Sequence, residues 1–149
     1  MSIAVTANFV IQNSPEERRV KEIPGLSKQY DLEFFKQLQL QRGIRLENIV
    51  YYKDLTHYFV MTAKKDSLVQ RGVIKVQLHR IVQLDINYYL FYQDNTGARE
   101  TVLHPSNVDQ EALENFAKDA AQFATEHFSI KLPTTQFATW KGKNTLLSF

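Results

Sequence analysis

The stretch that decides the fold is Leu46-Glu47-Asn48-Ile49-Val50-Tyr51-Tyr52-Lys53-Asp54, followed after Leu55 by Thr56-His57-Tyr58-Phe59-Val60-Met61-Thr62-Ala63-Lys64-Lys65. Both runs are rich in β-branched and aromatic residues, and a short polar turn separates them. They read as an antiparallel hairpin. In the second run His57, Phe59, Met61 and Ala63 share one face, and Thr56, Tyr58, Val60 and Thr62 share the other. Both faces are largely apolar or aromatic, which predicts a strand covered on both sides.

Upstream, Ile3 to Ile11 alternates, with Ile3, Val5, Ala7, Phe9 and Ile11 on one face. This is a strand pattern. Asn13–Arg19 reads as a polar break, and Pro24-Gly25 as a second. Asp31 caps a helix over Asp31–Arg42, in which Leu32, Phe35, Leu38 and Gln39 form a stripe with Phe34 beside it. Gly43 stops that helix.

Downstream, Asp66 or Ser67 is placed to cap a short helical turn ending at Gly72. Val73–Val82 alternates, Ile86–Tyr92 is aromatic and β-rich, Asn95-Thr96-Gly97 is a turn, and Thr101-Val102-Leu103 is a short run after it. Together these predict an added hairpin. Ser106 to Glu111 carries capping residues and early acids. Leu113, Phe116, Ala117, Ala120, Phe123 and Ala124 then recur at helical spacing, which predicts a helix over Asp109–His127. Pro133 interrupts the chain after that helix, and Phe137–Trp140 reads as a last short strand. The class is α+β: a mixed or antiparallel sheet with packed helices.

Composition limits the chemistry. The chain has 149 residues, 44% hydrophobic and 23% charged, with a net charge of +2 and no cysteine. This is one globular domain's worth of chain. Thiolate chemistry and disulfides are excluded. So small a net charge gives no argument for nucleic acid. No apolar run approaches the roughly 18 residues of a membrane span, and Met1-Ser2-Ile3-Ala4 lacks the pattern of a secretory signal. The five glycines, at 25, 43, 72, 97 and 142, are scattered. A dinucleotide fingerprint or P-loop clusters its glycines so that backbone amides reach phosphate. Neither exists here.

The four histidines, His57, His79, His104 and His127, form no His-x-His or His-x-x-x-His pair, so no metal site is expected. There is no Gly-x-Ser-x-Gly elbow. Asp54 and Glu47 read as solvated carboxylates. Arg18-Arg19 and Lys64-Lys65 read as solvated surface before any acidic partner. Tyr51, Tyr52 and Tyr58 lack the glycine-aromatic pattern of an RNA-binding strand, so packing is the default. No catalytic residue emerges.

The hairpin goes further as a motif. Leu46–Lys65 resembles the MICAL flavoprotein monooxygenases, multidomain enzymes that oxidise methionines of F-actin. The resemblance extends to Val5-Thr6-Ala7-Asn8-Phe9, Val20–Gly25, the Phe34-Phe35 helix, Gly72-Val73-Ile74, Asn107–Leu113, Ala120–Thr125 and Phe137-Ala138. It covers residues 4–74 and 107–138. Residues 75–106 stand out as an atypical insertion and 139–149 as a divergent tail.

The resemblance implies a slice of a larger unit, an incomplete version of the smaller sheet domain of p-hydroxybenzoate-hydroxylase-like flavoproteins. It implies FAD and NADPH as cofactors, F-actin as partner, and a cytoplasmic, cytoskeleton-associated location. The tyrosine of the family's Thr-His-Tyr-Phe motif contacts FAD, and that role carries to Tyr58. The glycine loop and the downstream Gly-Asp flavin motif of the family are absent, as are its actin-facing calponin-homology and LIM modules. The expectation is therefore a fragment, from a partial gene model, a splice variant or a degenerated copy. It is expected to be inactive alone and not to hold FAD stably by itself. The alternative is a non-catalytic interaction domain derived from the same fold.

Overall fold

The computed structural model describes residues 2–75, 91–93, 99–101, 103–127 and 145–148. Strand β1, Ser2–Val10, alternates strictly: Ile3, Val5, Ala7 and Phe9 are fully buried, while Ala4, Thr6 and Asn8 are half-buried. Helix α1, Pro15–Arg19, and helix α2, Leu32–Arg42, come next in the chain. The predicted hairpin is present as β2, Leu46–Lys53, and β3, Thr56–Lys64. Helix α3, Lys65–Gln70, continues from β3. Short strands β4, Phe91–Gln93, and β5, Arg99–Thr101, precede the long helix α4, Gln110–His127. Strand β6, Thr145–Ser148, closes the order.

The main sheet is four-stranded, in the order β2-β3-β1-β6, and every pairing in it is antiparallel. β3 is central. It pairs with β1 from Ser2↔Lys64 to Val10↔Thr56, and with β2 through Val50↔Val60 and Tyr52↔Tyr58. The alternating burial of β1 and β3 therefore adds into one apolar underside. Helix α4 packs on it, burying Leu113, Phe116, Ala117, Ala120, Phe123 and Ala124 as their spacing predicts. Helix α2 joins this layer, with the Phe34 and Phe123 rings 5.4 Å apart. The β4–β5 ribbon pairs Phe91↔Thr101 to Gln93↔Arg99, as the added hairpin requires. Its turn at Asn95-Thr96-Gly97, the alternation from residue 76 on, Pro133 and the Phe137–Trp140 strand lie outside the described residues.

Four expectations are corrected. The polar break at Asn13–Arg19 contains a helix: Ser14 caps α1, Pro15 opens it, and Ser14 and Glu17 exchange the reciprocal bonds of a capping box. The buried stripe of α2 is Phe34 and Leu38, whereas Leu32 is 79% exposed. Apolar residues surround this helix, so spacing alone did not fix its inward face. Asp66 and Ser67 do not cap α3. Lys64 holds the cap position without a side-chain bond, while Ser67 Oγ accepts from the Arg45 amide. Finally, the Tyr58 face of β3 is half-buried, not fully covered. The helix stops are as read: Gly43 and Gly72 adopt left-handed φ of 65° and 73°. Among the described residues no helix is long and apolar enough to cross a membrane.

Candidate functional site

The two faces of the hairpin present different chemistry. On the open face the register builds transverse rows. Tyr58 lies between Tyr52 on β2 and Asn8 on β1, and Val60 lies between Val50 and Thr6. Thr62 lies between Asn48 and Ala4. Tyr58 is half-buried and Tyr52 is 41% exposed. Thr56 Oγ1 donates to Asn8 Oδ1 at 2.9 Å, fixing the end of the Tyr58 row. The Pro24-Gly25 turn is pinned beside this face: the Gly25 amide donates to Tyr52 Oη at 3.4 Å, and Asn48 Nδ2 donates to the Gly25 carbonyl at 3.1 Å. Asn48 Oδ1 is buried and accepts no hydrogen bond among the described residues.

This face is a shallow apolar platform carrying two phenols and two amide side chains. Such a surface suits a planar heteroaromatic ring, which takes aromatic contact on its face and hydrogen bonds at its edge. Among the described residues it has no provision for a pyrophosphate. Gly25 and Gly43 each sit in an isolated left-handed turn or helix stop, so no run of amides converges there.

The underside carries a buried polar chain. Tyr51 Oη lies 2.8 Å from His57 Nδ1, and His57 Nε2 lies 3.0 Å from Glu17 Oε1. All three residues are at most 3% exposed. The Glu17 carboxylate also accepts from the Gln12 amide on both oxygens and from the Ser14 amide at 2.9 Å. Burial opposes its ionisation. The hydrogen bond from His57 and those from the Gln12 and Ser14 amides outweigh that cost and hold its pKa below the ordinary carboxylate range. Burial, reinforced by the charges of Glu22 and Glu17, pushes the Tyr51 phenol up. The other end of α1 is held by Lys53, whose Nζ donates to the carbonyls of Glu17, Arg18 and Val20.

Of the residues singled out by sequence, Tyr58 and Tyr52 meet on the open face, and Tyr51 and His57 meet on the buried one. His104 Nδ1 bonds Ser106 Oγ at 2.9 Å. His79 and the side chain of His127 lie outside the described residues. No cluster of metal-ligating side chains occurs among the described residues. Glu47 pairs with Lys64 at 3.2 Å on the surface, and Asp54 is exposed. Arg18 Nη2 donates to the Asn13 carbonyl. Sequence reasoning missed Glu17. Its one signal was the Ser14-x-x-Glu17 spacing, which marks a helix start but says nothing about a partner 40 positions away.

A protein-family model described as "Mical, Rossman domain" matches residues 1–146. The chain is 46% identical over 138 residues to the F-actin monooxygenase mical1 of Danio rerio, covering 93% of this chain and 10% of that protein. It is likewise 46% identical to the F-actin monooxygenase MICAL3 of Mus musculus and 44% identical to MICAL2 of Homo sapiens, each time over 93% of this chain and 6% of the relative. The chain thus spans a tenth or less of the length of these relatives.

Proposed function

The chain belongs to the MICAL family, and from that premise we propose that it forms the sheet-bearing part of an FAD- and NADPH-dependent monooxygenase acting on methionine of F-actin. Tyr58 is the flavin-contacting residue in this reading. The observation that carries it is the open face itself: within a 46% identical segment, the Thr-His-Tyr-Phe tyrosine sits at the centre of a half-buried aromatic row. In this reading the sheet corresponds to the smaller domain of p-hydroxybenzoate-hydroxylase-like flavoproteins, with residues 4–74 and 107–138 supplying most of its strands and helices and Thr145–Ser148 adding the edge strand β6.

The residues present fit the ring of FAD and not its phosphates. Bound FAD supplies hydride acceptance from NADPH and the activation of oxygen. The work of this chain is to orient and to exclude water. Tyr58 would pack against the ring, and Tyr52 and Asn8 would border it. The valine row of Val50 and Val60 keeps the neighbouring surface dry. The phosphate loop has to come from outside these 149 residues, so the chain alone does not hold FAD and is inactive. Its place is the cytoplasm, at the actin cytoskeleton. The missing phosphate loop equally favours a second reading, a non-catalytic interaction domain on the same scaffold.

A graft separates the two. Residues 1–149 are exchanged for the matching segment of Danio rerio mical1, and the product is assayed for bound flavin and for F-actin-stimulated NADPH oxidation. The enzyme reading expects stoichiometric FAD and measurable turnover. A folded graft without flavin supports the interaction-domain reading and overturns the first. The isolated chain, purified with added FAD, is expected to lack a stoichiometric flavin absorbance.

A further inference from the structure

The buried Tyr51–His57–Glu17 chain plays no part in the flavin reading, and its geometry lines up a phenol, an imidazole and a carboxylate in series. The Glu17 carboxylate accepts from Gln12 N and Ser14 N, and faces His57 Nε2. An ionised carboxylate at 3.0 Å obliges His57 to carry its proton on Nε2. In the neutral ring Nδ1 is then a lone pair, and the Tyr51 hydroxyl donates to it at 2.8 Å. Among the described residues this is the only hydrogen bond of the phenol. The Tyr51 ring is fully buried, stacked on Phe59 with centroids 4.5 Å apart, and Phe9 meets Phe59 edge-on.

A phenol that loses an electron becomes a strong acid and has to shed its proton in the same event. An exposed tyrosine such as Tyr30, 82% exposed, gives that proton to water. A buried tyrosine without a base would be left as a cation in an apolar site, which is prohibitive. Tyr51 has the base already in line. We propose that Tyr51 is a redox-active tyrosine, which yields one electron to an external one-electron oxidant of the ruthenium(III) polypyridyl class while its phenolic proton moves to His57 Nδ1.

The balance closes within the triad. The O–H bond of Tyr51 breaks and an N–H bond forms on His57. The tyrosine becomes a neutral radical, and the imidazolium is paired with the Glu17 carboxylate. The metal falls from the trivalent to the divalent state. The raised pKa of Tyr51 keeps simple deprotonation from competing. The aromatic burial keeps water and dissolved reductants from the radical. Tyr52 and Tyr58, in the adjacent cross-strand pair, face the other side, so an oxidant on the open face is separated from Tyr51 by one layer of sheet. The inference stands apart from the flavin reading, because the oxidant is supplied.

The test is flash-quench oxidation of the full chain with ruthenium tris(bipyridyl) and a cobalt(III) quencher, coupled to electron paramagnetic resonance in H2O and D2O. The expected result is a neutral tyrosyl radical coupled to one exchangeable proton, living about tenfold longer than the radical of free tyrosine because solvent is excluded. Tyr51→Phe abolishes the long-lived signal, and His57→Gln, which keeps the phenol and removes the base, cuts its yield about tenfold. A long-lived signal that persists in Tyr51→Phe, or an undiminished yield in folded His57→Gln, overturns the proposal. So does a native radical with no exchangeable coupling or with the lifetime of free tyrosine, a readout that needs no variant.

Discussion

His57 Nε2 and Glu17 Oε1 lie 3.0 Å apart beneath the sheet, joining the second strand of the hairpin to a five-residue helix 40 positions earlier in the chain. The imidazole is 1% exposed and the carboxylate residue 3%. Glu17 is at once the last member of a capping box, the acceptor for the Gln12 and Ser14 amides, and the counter-group of His57. Removing it strips three donors of their partner together.

Glu17→Ala is therefore expected to cost about 3 kcal/mol of stability, the order seen when buried donors are left without their acceptor. Urea unfolding monitored by circular dichroism measures it. A loss below about 0.5 kcal/mol, the range of an ordinary surface change, would contradict the hub role.

The same carboxylate sets an acid dependence. Burial opposes ionisation, but the His57 and amide hydrogen bonds prevail, so the folded pKa lies below the unfolded one. The stability this contributes is fully present above the unfolded carboxylate pKa of about 4.3 and is lost as pH falls through the folded value. The urea midpoint should decline on acidification below about pH 5. Glu17→Gln should decline less steeply over the same interval. Parallel pH profiles for the two proteins would contradict the assignment.

The inward face of α2 is tested by a pair of truncations. Leu38 is fully buried, and Leu38→Ala should cost about 2–5 kcal/mol. Leu32 is 79% exposed, and Leu32→Ala should fall within about 0.5 kcal/mol of the native chain. Equal losses at the two positions would rotate the helix back toward the stripe that spacing alone gives.

Gly43 ends α2 at φ 65°, and a Cβ built on it meets nothing within 4 Å. The cost of Gly43→Ala is then conformational, about 1 kcal/mol for placing an L-residue in the left-handed region. A neutral or stabilising result in thermal unfolding would show that the helix stop relaxes.

The elements legible in the sequence are those whose signal is long and one-sided. Helix α4 repeats its apolar positions over several turns, and all six named residues are buried. β1 and β3 alternate over nine residues each. The phase of α2 was not legible, because Leu32, Phe34, Phe35, Leu38 and Leu40 leave no polar side to contrast with an apolar one. α1 was hidden in a polar run, where its only mark was a cap. β6 is four residues long and gains its place by pairing with β1. For the candidate site, alternation placed Tyr58 on the face opposite His57, but the Glu17–His57–Tyr51 chain is a tertiary pairing that no local pattern announces.

The central claim is that the Tyr58 face of this sheet meets a flavin. The most direct measurement is the FAD dissociation constant of the mical1 graft, compared with the same graft carrying Tyr58→Ala or, as a control on the α2 surface, Leu32→Ala. The account predicts that Tyr58→Ala weakens binding about 3- to 10-fold, the worth of one aromatic contact, while Leu32→Ala leaves it unchanged. Identical FAD affinity in the native and Tyr58→Ala grafts would contradict it.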